Sequence, residues 1–322
     1  MRVCIIGKYF ANLKHGAEQG IVDALREFIG FDNVDIMEPP RTHDTWTKCA
    51  QILATIKYDL ILIIGPGLPL AALECNEFCR ELINQKTISW NSEPIRLPNY
   101  RSRIERNGEL IDEWATFDEG EIPLYEKLGV KAFFLPQAFN PKWYYPREDI
   151  DPDGYVCFVG SVGGKWENRL AMVRRVKALF GTDFSVSRVF DATQVNKIYN
   201  GHAIVLNLGL YHKDLGSPQY LASYAFQQRI FEAIGAGAVP CTNIPADLDR
   251  TPRQKEMFTS GTDIIYYEND TLEAILKYYA NNPEQLAAIH KRVLQIREQY
   301  TYKARLKELF DRYGQDINYH SQ

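Results

Sequence analysis

A chain of 322 residues with 45% hydrophobic and 24% charged side chains has the composition of a globular protein and the length for two cores of roughly 150 residues each. Its formal net charge of -4 gives no global electrostatic reason to bind nucleic acid, so a nucleic-acid partner is not expected. No apolar run approaches the ~20 residues of a spanning helix, and the opening MRVCIIG reads as a strand rather than a signal peptide, so no membrane span and a cytoplasmic location are expected.

The first half alternates regularly. VCIIG is a short β-rich run, and AEQGIVDALREFIG has helical spacing with Gly30 as its stop. NVDIM is the next strand, TWTKCAQILATI a helix, and YDLILIIG a near-continuous apolar strand of the kind covered on both faces. PLAALECNEFCRELIN reads as one helix with Pro69 near its first turn. KTISW, EWATF and KAFFLP are further strands, with EIPLYEKLGV as a helix between the last two. Such alternation implies a parallel, doubly wound sheet.

NPKWYYPREDIDPDG then interrupts the pattern with three prolines and several acids, the composition of an interdomain linker. Alternation resumes with strand YVCFVGS, helix ENRLAMVRRVKALFG, strand FSVSRV, helix TQVNKIYN and strand AIVLNLGL. FQQRIFEAIGAG is a helix, AVPCTN and DIIYY are strands, and DTLEAILKYYANN, PEQLAAIHKRVLQIREQY and TYKARLKELFDRYG are helices. The expected fold is α/β, with two Rossmann-like doubly wound domains facing across a cleft. Residues 1–148 form the first and 149–302 the second, with a closing helix at about 303–322 returning to the first. Ligands of such sheets bind outside the carboxyl ends of the strands.

Several chemistries fit poorly. IIGKYFANLKHG lacks the dinucleotide glycine pattern, and GPGLPL breaks it at the third glycine. GSVGGKW has the wrong spacing for a P-loop and ends in Trp166 rather than a magnesium-binding hydroxyl. There is no G-x-S-x-G elbow. DID, DPD and DLD resemble paired metal-binding aspartates, but they fall in loops where acids are usually solvated, so no metal is expected. The six cysteines read as buried reduced thiols: Cys75 and Cys79 can share a helix face, but no second pair has metal-ligand spacing.

RIFEAIGAGAVPCTN, with its one acid in an apolar, glycine-rich run, resembles the C-terminal half of GT-B glycosyltransferases. It is most similar to the CgeB-like, group-1-related transferases, which share an Arg-x-Phe-Glu-Ala helix followed by Gly-Ala and a strand. GVKAFFLPQAFNP, YVCFVGSVGGKWENR and QYTYKARLKEL resemble further family stretches in order, so the likeness covers about residues 120 to 310. The first third agrees only in architecture.

The resemblance implies a glycosyltransferase that moves a sugar from a nucleotide-diphosphate sugar to an acceptor hydroxyl, without a metal or other cofactor. It implies that Glu232 accepts hydrogen bonds from the donor's ribose, with the diphosphate at a helix N-terminus. Arg229 lies three residues earlier on the same helical face, with Gln228 beside it. The alternative for Glu232 and Arg229 is a structural ion pair. Gly235 and Gly237 would bring the helix end close to the next strand. Gly160 and Ser161 are loop positions allowing close approach of phosphate, and Lys165 or Arg169 would neutralise it, unless Arg169 packs structurally within its helix. His15 and Gly16 follow the first strand. Many inverting relatives place a histidine base there, and Glu93 in SWNSEP is the rival base or acceptor contact. Retaining relatives carry a glutamate where this chain has Tyr224, so the stereochemical course stays open. A non-catalytic nucleotide-sugar-binding protein and a sugar-nucleotide epimerase use the same fold, and a transferase acting on modified DNA bases would need a basic groove.

Overall fold

The computed structural model describes residues 1–7, 16–38, 43–65, 67–150, 154–162, 167–209 and 224–313, so the expectations placed on His15 and Lys165 lie outside the described residues. The chain divides into two compact units, one built from residues up to 136 together with those from 302, the other from 137–301.

In the first unit, strand β1 (Val3–Ile6) leads to helix α1 (Ala17–Ile29), β2 (Val34–Met37) to α2 (His43–Thr55), and β3 (Leu60–Ile64) to α3 (Leu70–Leu73) and α4 (Asn76–Ile83). Then follow β4 (Thr87–Asn91), α5 (Pro98–Asn107), β5 (Glu113–Thr116), α6 (Ile122–Lys127) and β6 (Ala132–Phe134). All strand pairings are parallel, in the order β2-β1-β3-β4-β5-β6. Strand β3 is buried over Leu60–Ile63, as its unbroken apolar run predicts for a strand covered on both faces.

The segment read as one helix is two, because Cys75 adopts an extended conformation at φ -93° and ψ 95° and interrupts the turn. Helix α5 has no counterpart in the sequence reading. It buries only Ile104 and Asn107, too little for an apolar stripe, and is fixed instead by Asn107 Oδ1 accepting from the Leu68 amide at 2.8 Å. The last described helix, Tyr302–Arg312, packs on α1 within this unit. Gly20 makes the approach possible, since a Cβ there would stand 2.4 Å from the Tyr302 ring.

The second unit runs β7 (Gly154–Val159), α7 (Glu167–Phe180), β8 (Phe184–Ser187), α8 (Ala192–Asn200), β9 (His202–Asn207) and α9 (Gln228–Ala236). It continues with β10 (Val239–Asn243), α10 (Pro252–Lys255), β11 (Ile265–Tyr267), α11 (Leu272–Asn281) and α12 (Pro283–Ile296). The helix Tyr302–Arg312 is then α13. The sheet is again parallel, ordered β11-β10-β9-β7-β8, so its topological switch point lies between β7 and β9. The proline-rich segment ahead of β7 packs on this unit. The Phe139 amide donates to the Tyr300 carbonyl, and side chains from α8 accept the next free backbone donors, Asn196 Oδ1 from Tyr145 and Asn200 Oδ1 from Arg147. The change of unit therefore falls at 136/137, ahead of residue 148.

Candidate functional site

The carboxyl ends of β7 and β9 flank the switch point, and side chains from several strands and helices meet there. Strand β9 ends in Asn207, buried to 1%, whose Nδ2 donates to Thr242 Oγ1 on β10 at 2.9 Å. Its backbone oxygen accepts from the Tyr267 hydroxyl at 2.9 Å. With its amide so fixed, Asn207 Oδ1 accepts from Arg229 Nη1 at 3.0 Å. The Arg229 guanidinium also lies over the Phe158 ring, 5.3 Å from its centroid, and hydrogen-bonds Tyr199. Gly160 leaves room for it. A Cβ there would stand 2.9 Å from Arg229 Nη2 and as near to Phe158. Ser161, half-buried, follows directly.

Arg169, on the first turn of α7, is 7% exposed and donates from Nε to the Leu208 carbonyl at 3.0 Å. Burial and the nearby Arg229 charge push its pKa down to about 10, with the Tyr267 hydroxyl opposing them. Two guanidiniums thus converge at one end of the sheet. Arg169 belongs to its helix and packs against the chain end of β9.

Helix α9 starts with Gln227 as N-cap, which supplies no side-chain cap, and has no acid in its first turn. Its first turns carry Arg229 and the half-buried Glu232. Desolvation raises the Glu232 carboxyl above the ordinary range, opposed by the Arg229 charge and by hydrogen bonds from Tyr144 and Gln228. Gln228 also donates to the Ala138 carbonyl, and it thereby holds Glu232 in place. The helix stops at Gly237, left-handed at φ 81°, and its amide returns to the last turn. Gly235 has a different task. A Cβ on it would enter the Phe139 ring, at 2.4 Å. Tyr224 lies ahead of this helix, where its carbonyl accepts from Gln254 Nε2 at 2.9 Å.

Sequence reasoning missed Asn207, Tyr144 and Tyr199. The two tyrosines stack at 6.5 Å between centroids, and each holds one member of the Glu232–Arg229 pair. NPKWYYP and TQVNKIYN carry no pattern that distinguishes a supporting tyrosine from a core one. AIVLNLGL did hold a signal, a lone amide within an apolar strand.

Glu93 belongs to the first unit, just past β4. The wholly buried Asn91 clamps its backbone, with Oδ1 accepting from the Glu93 amide at 3.0 Å and Nδ2 donating to its carbonyl at 2.7 Å. Burial raises the Glu93 carboxyl, a hydrogen bond from Tyr100 and the Arg103 charge lower it, and Glu18 raises it. Gly16 caps α1 in extended conformation, and a Cβ on it would stand 3.0 Å from Glu18 Oε2. Gly16, Glu18 and Glu93 therefore share the carboxyl edge of the first sheet. Two further acids, Asp118 and Glu121, are buried beyond β5 against Arg96. Among the described residues, no group of three metal-ligating side chains converges, and no helix is long and apolar enough to cross a membrane.

Residues 152–311 match the glycosyl transferase-like family model. No curated protein sequence matches the chain significantly. Among solved structures, an alpha-glucosyltransferase in complex with UDP-glucose and DNA containing an abasic site aligns over 98% of this chain and 100% of its own, at 10% identity and TM-score 0.68. A glycosyltransferase from Rickettsia africae ESF-5 aligns over 99% and 100% at 11% identity and TM-score 0.61. TarM aligns over 83% of this chain and 57% of its own, at 11% identity and TM-score 0.54. Two parallel sheets with alternating helices, shared with these enzymes, are the GT-B fold. With the family match, they define the class: the protein is a glycosyltransferase. The family match spans most of the second unit and continues into α13 of the first.

Proposed function

We propose that the enzyme transfers a sugar from a uridine diphosphate sugar to an acceptor hydroxyl without a bound metal ion. The observation that carries this reading is the meeting of Arg169 and Arg229 at the switch point, where they bond consecutive residues at the end of β9, Arg229 Nη1 the Asn207 side chain and Arg169 Nε the Leu208 carbonyl, each at 3.0 Å. Glu232 offsets part of the Arg229 charge, and an anion bridging the two guanidiniums would offset more of their mutual repulsion. A diphosphate there would meet both guanidiniums and the uncapped N-terminus of α9, where N–H groups and the helix dipole favour negative charge. Gly160 and Ser161 would admit the phosphates, with Lys165 as a further cation. Glu232 would accept the ribose hydroxyls, a two-acceptor task suited to a carboxylate. The choice of uridine follows the solved relatives that hold UDP or UDP-glucose.

In the transfer, the bond from the anomeric carbon to the diphosphate oxygen breaks, and one to the acceptor oxygen forms. The acceptor proton passes to a base, and the arginines offset the charge that develops on the departing diphosphate. That is the part a divalent ion would otherwise play. Glu93 is a fitting base because burial lifts its carboxyl toward neutrality, and His15 is the rival. The acids Glu18 and Glu93, and the net charge of -4, favour an acceptor other than nucleic acid. The Arg-x-Phe-Glu-Ala helix supports a place in the CgeB-like branch.

The test is calorimetry with uridine, guanosine, adenosine and thymidine diphosphates, followed by a UDP-release assay with candidate acceptors, hydroxymethylated duplex DNA included. Tight UDP binding and acceptor-dependent UDP release are expected. No binding of any diphosphate would overturn the reading, and release with the DNA acceptor alone would reverse the choice of acceptor.

A further inference from the structure

The second unit has a cavity of about 490 Å³ at the opposite pole from the arginine pair. It opens at the amino end of β9, by His202 and Ala203, and at Ala236–Ala238, where α9 passes into β10. Asn207 lies at the far end of β9, five residues on, which is roughly 17 Å along a strand. Tyr199, which lines the cavity and hydrogen-bonds Arg229, stands between the two sites.

Its walls are apolar. Helix α12 contributes Leu286, Ala287 and Leu294 on one side, and Pro146 and Ile150 stand on the other. The floor at Ala236–Ala238 has almost no side chain, which is what leaves the volume open. Most polar groups on the lining are already engaged. The Arg147 fork is bonded to Asp149 at 3.0 and 2.6 Å, and both His202 nitrogens are taken, by Ser185 Oγ and the Ile198 carbonyl, each at 2.8 Å. Asn200 is bonded to the backbone of Tyr145 and Arg147. Among the described residues, none hydrogen-bonds His290, which lines the cavity from α12. It is exposed and stands at the cavity mouth, where partial desolvation pushes its pKa down, and in its neutral form it offers one donor and one acceptor. Glu148, exposed at the rim, disfavours an anion.

We propose that this cavity is a second binding site, which takes a compact, uncharged, largely apolar molecule with one hydrogen-bonding group aimed at His290. The volume lies in the range of small-molecule sites, which are apolar with a few placed polar groups. Free cationic groups that would draw an anion are missing from the described lining, since its arginine is already paired.

The probe is N-phenyl-1-naphthylamine, an uncharged dye that brightens in apolar surroundings and carries one N–H. Its fluorescence should rise saturably on titration into the full-length protein. Ala287→Trp places a large ring in the cavity from an exposed position on α12, so it should keep the parent's melting temperature and weaken dye binding at least tenfold. If that variant melts early, His290→Ala is the substitute, and a loss of about fivefold is expected. Arg169→Ala, altered at the other site away from Tyr199, should bind dye like the parent. The proposal is overturned by a non-saturable rise, by unchanged binding in a well-folded Ala287→Trp or His290→Ala protein, or by loss of binding in a well-folded Arg169→Ala protein.

Discussion

Arg229 Nη1 lies 3.0 Å from Asn207 Oδ1, and Asn207 is itself held by Thr242 and Tyr267. The guanidinium is therefore aimed before any ligand arrives. Removal of Arg229 should cost about 2–4 kcal/mol of UDP affinity, thirtyfold or more. Arg229→Lys should recover little of this, because an ammonium cannot reach Asn207 and present a planar fork at once. Calorimetric titration of UDP into both variants checks this, and affinity within threefold of the parent would exclude Arg229 from the site.

Gly160 makes the complementary case. A Cβ on it would meet Arg229 Nη2 and the Phe158 ring, each at 2.9 Å. Something must shift, and the arginine tip is the more mobile of the two. Gly160→Ala should fold normally yet weaken UDP by about 1 kcal/mol, close to fivefold. A loss of melting temperature with unchanged UDP affinity would mean that Phe158 moved instead.

Both sheets were legible from the sequence because their strands are short apolar runs bounded by turn residues, and each of the eleven strands among the described residues overlaps a run read as a strand. Helix α5 escaped because PNYRSRIERN has no stripe, and the break at Cys75 because nothing in LAALECNEF forbids continuation. The site was legible only where chemistry contradicts its surroundings. Glu232 and Arg229 stand out as charges in an apolar helix. Tyr144 and Tyr199 do not, since an aromatic among aromatics reads as core, and their hydroxyls matter only once the chain has brought them to the pair.

Glu232 links pH to both binding and stability. Desolvation holds its folded-state pKa above the unfolded value. Its contribution to stability is therefore complete below the unfolded pKa and is lost as pH rises through the folded one. The carboxylate is also the form that accepts ribose hydroxyls. UDP affinity should fall as pH drops through the raised pKa, while the parent gains melting temperature relative to Glu232→Gln. The variant should bind UDP about 1.5–3 kcal/mol more weakly at neutral pH, without that pH dependence. Titrations and melting curves between pH 5 and 8 measure both slopes, and equal slopes in parent and variant would exclude Glu232 as their source.

Glu93 yields a prediction of opposite signs from two neighbours. The Tyr100 hydroxyl donates to its carboxylate and lowers its pKa, whereas the Glu18 charge raises it. If Glu93 accepts the acceptor proton, the acid limb of the rate profile follows its ionisation. Tyr100→Phe removes a stabiliser of the charged form, so the limb should move to higher pH. Glu18→Gln removes a repelling charge, so the limb should move to lower pH. Each neighbour is asked for less than about one pH unit, and kcat on the plateau should change less than the limb does. Neither side chain is itself placed at the transferred proton. A structural defect in either variant would lower the plateau and leave the limb where it was. If both variants keep the parent's limb, the titrating base is a different group, with His15 the next to substitute.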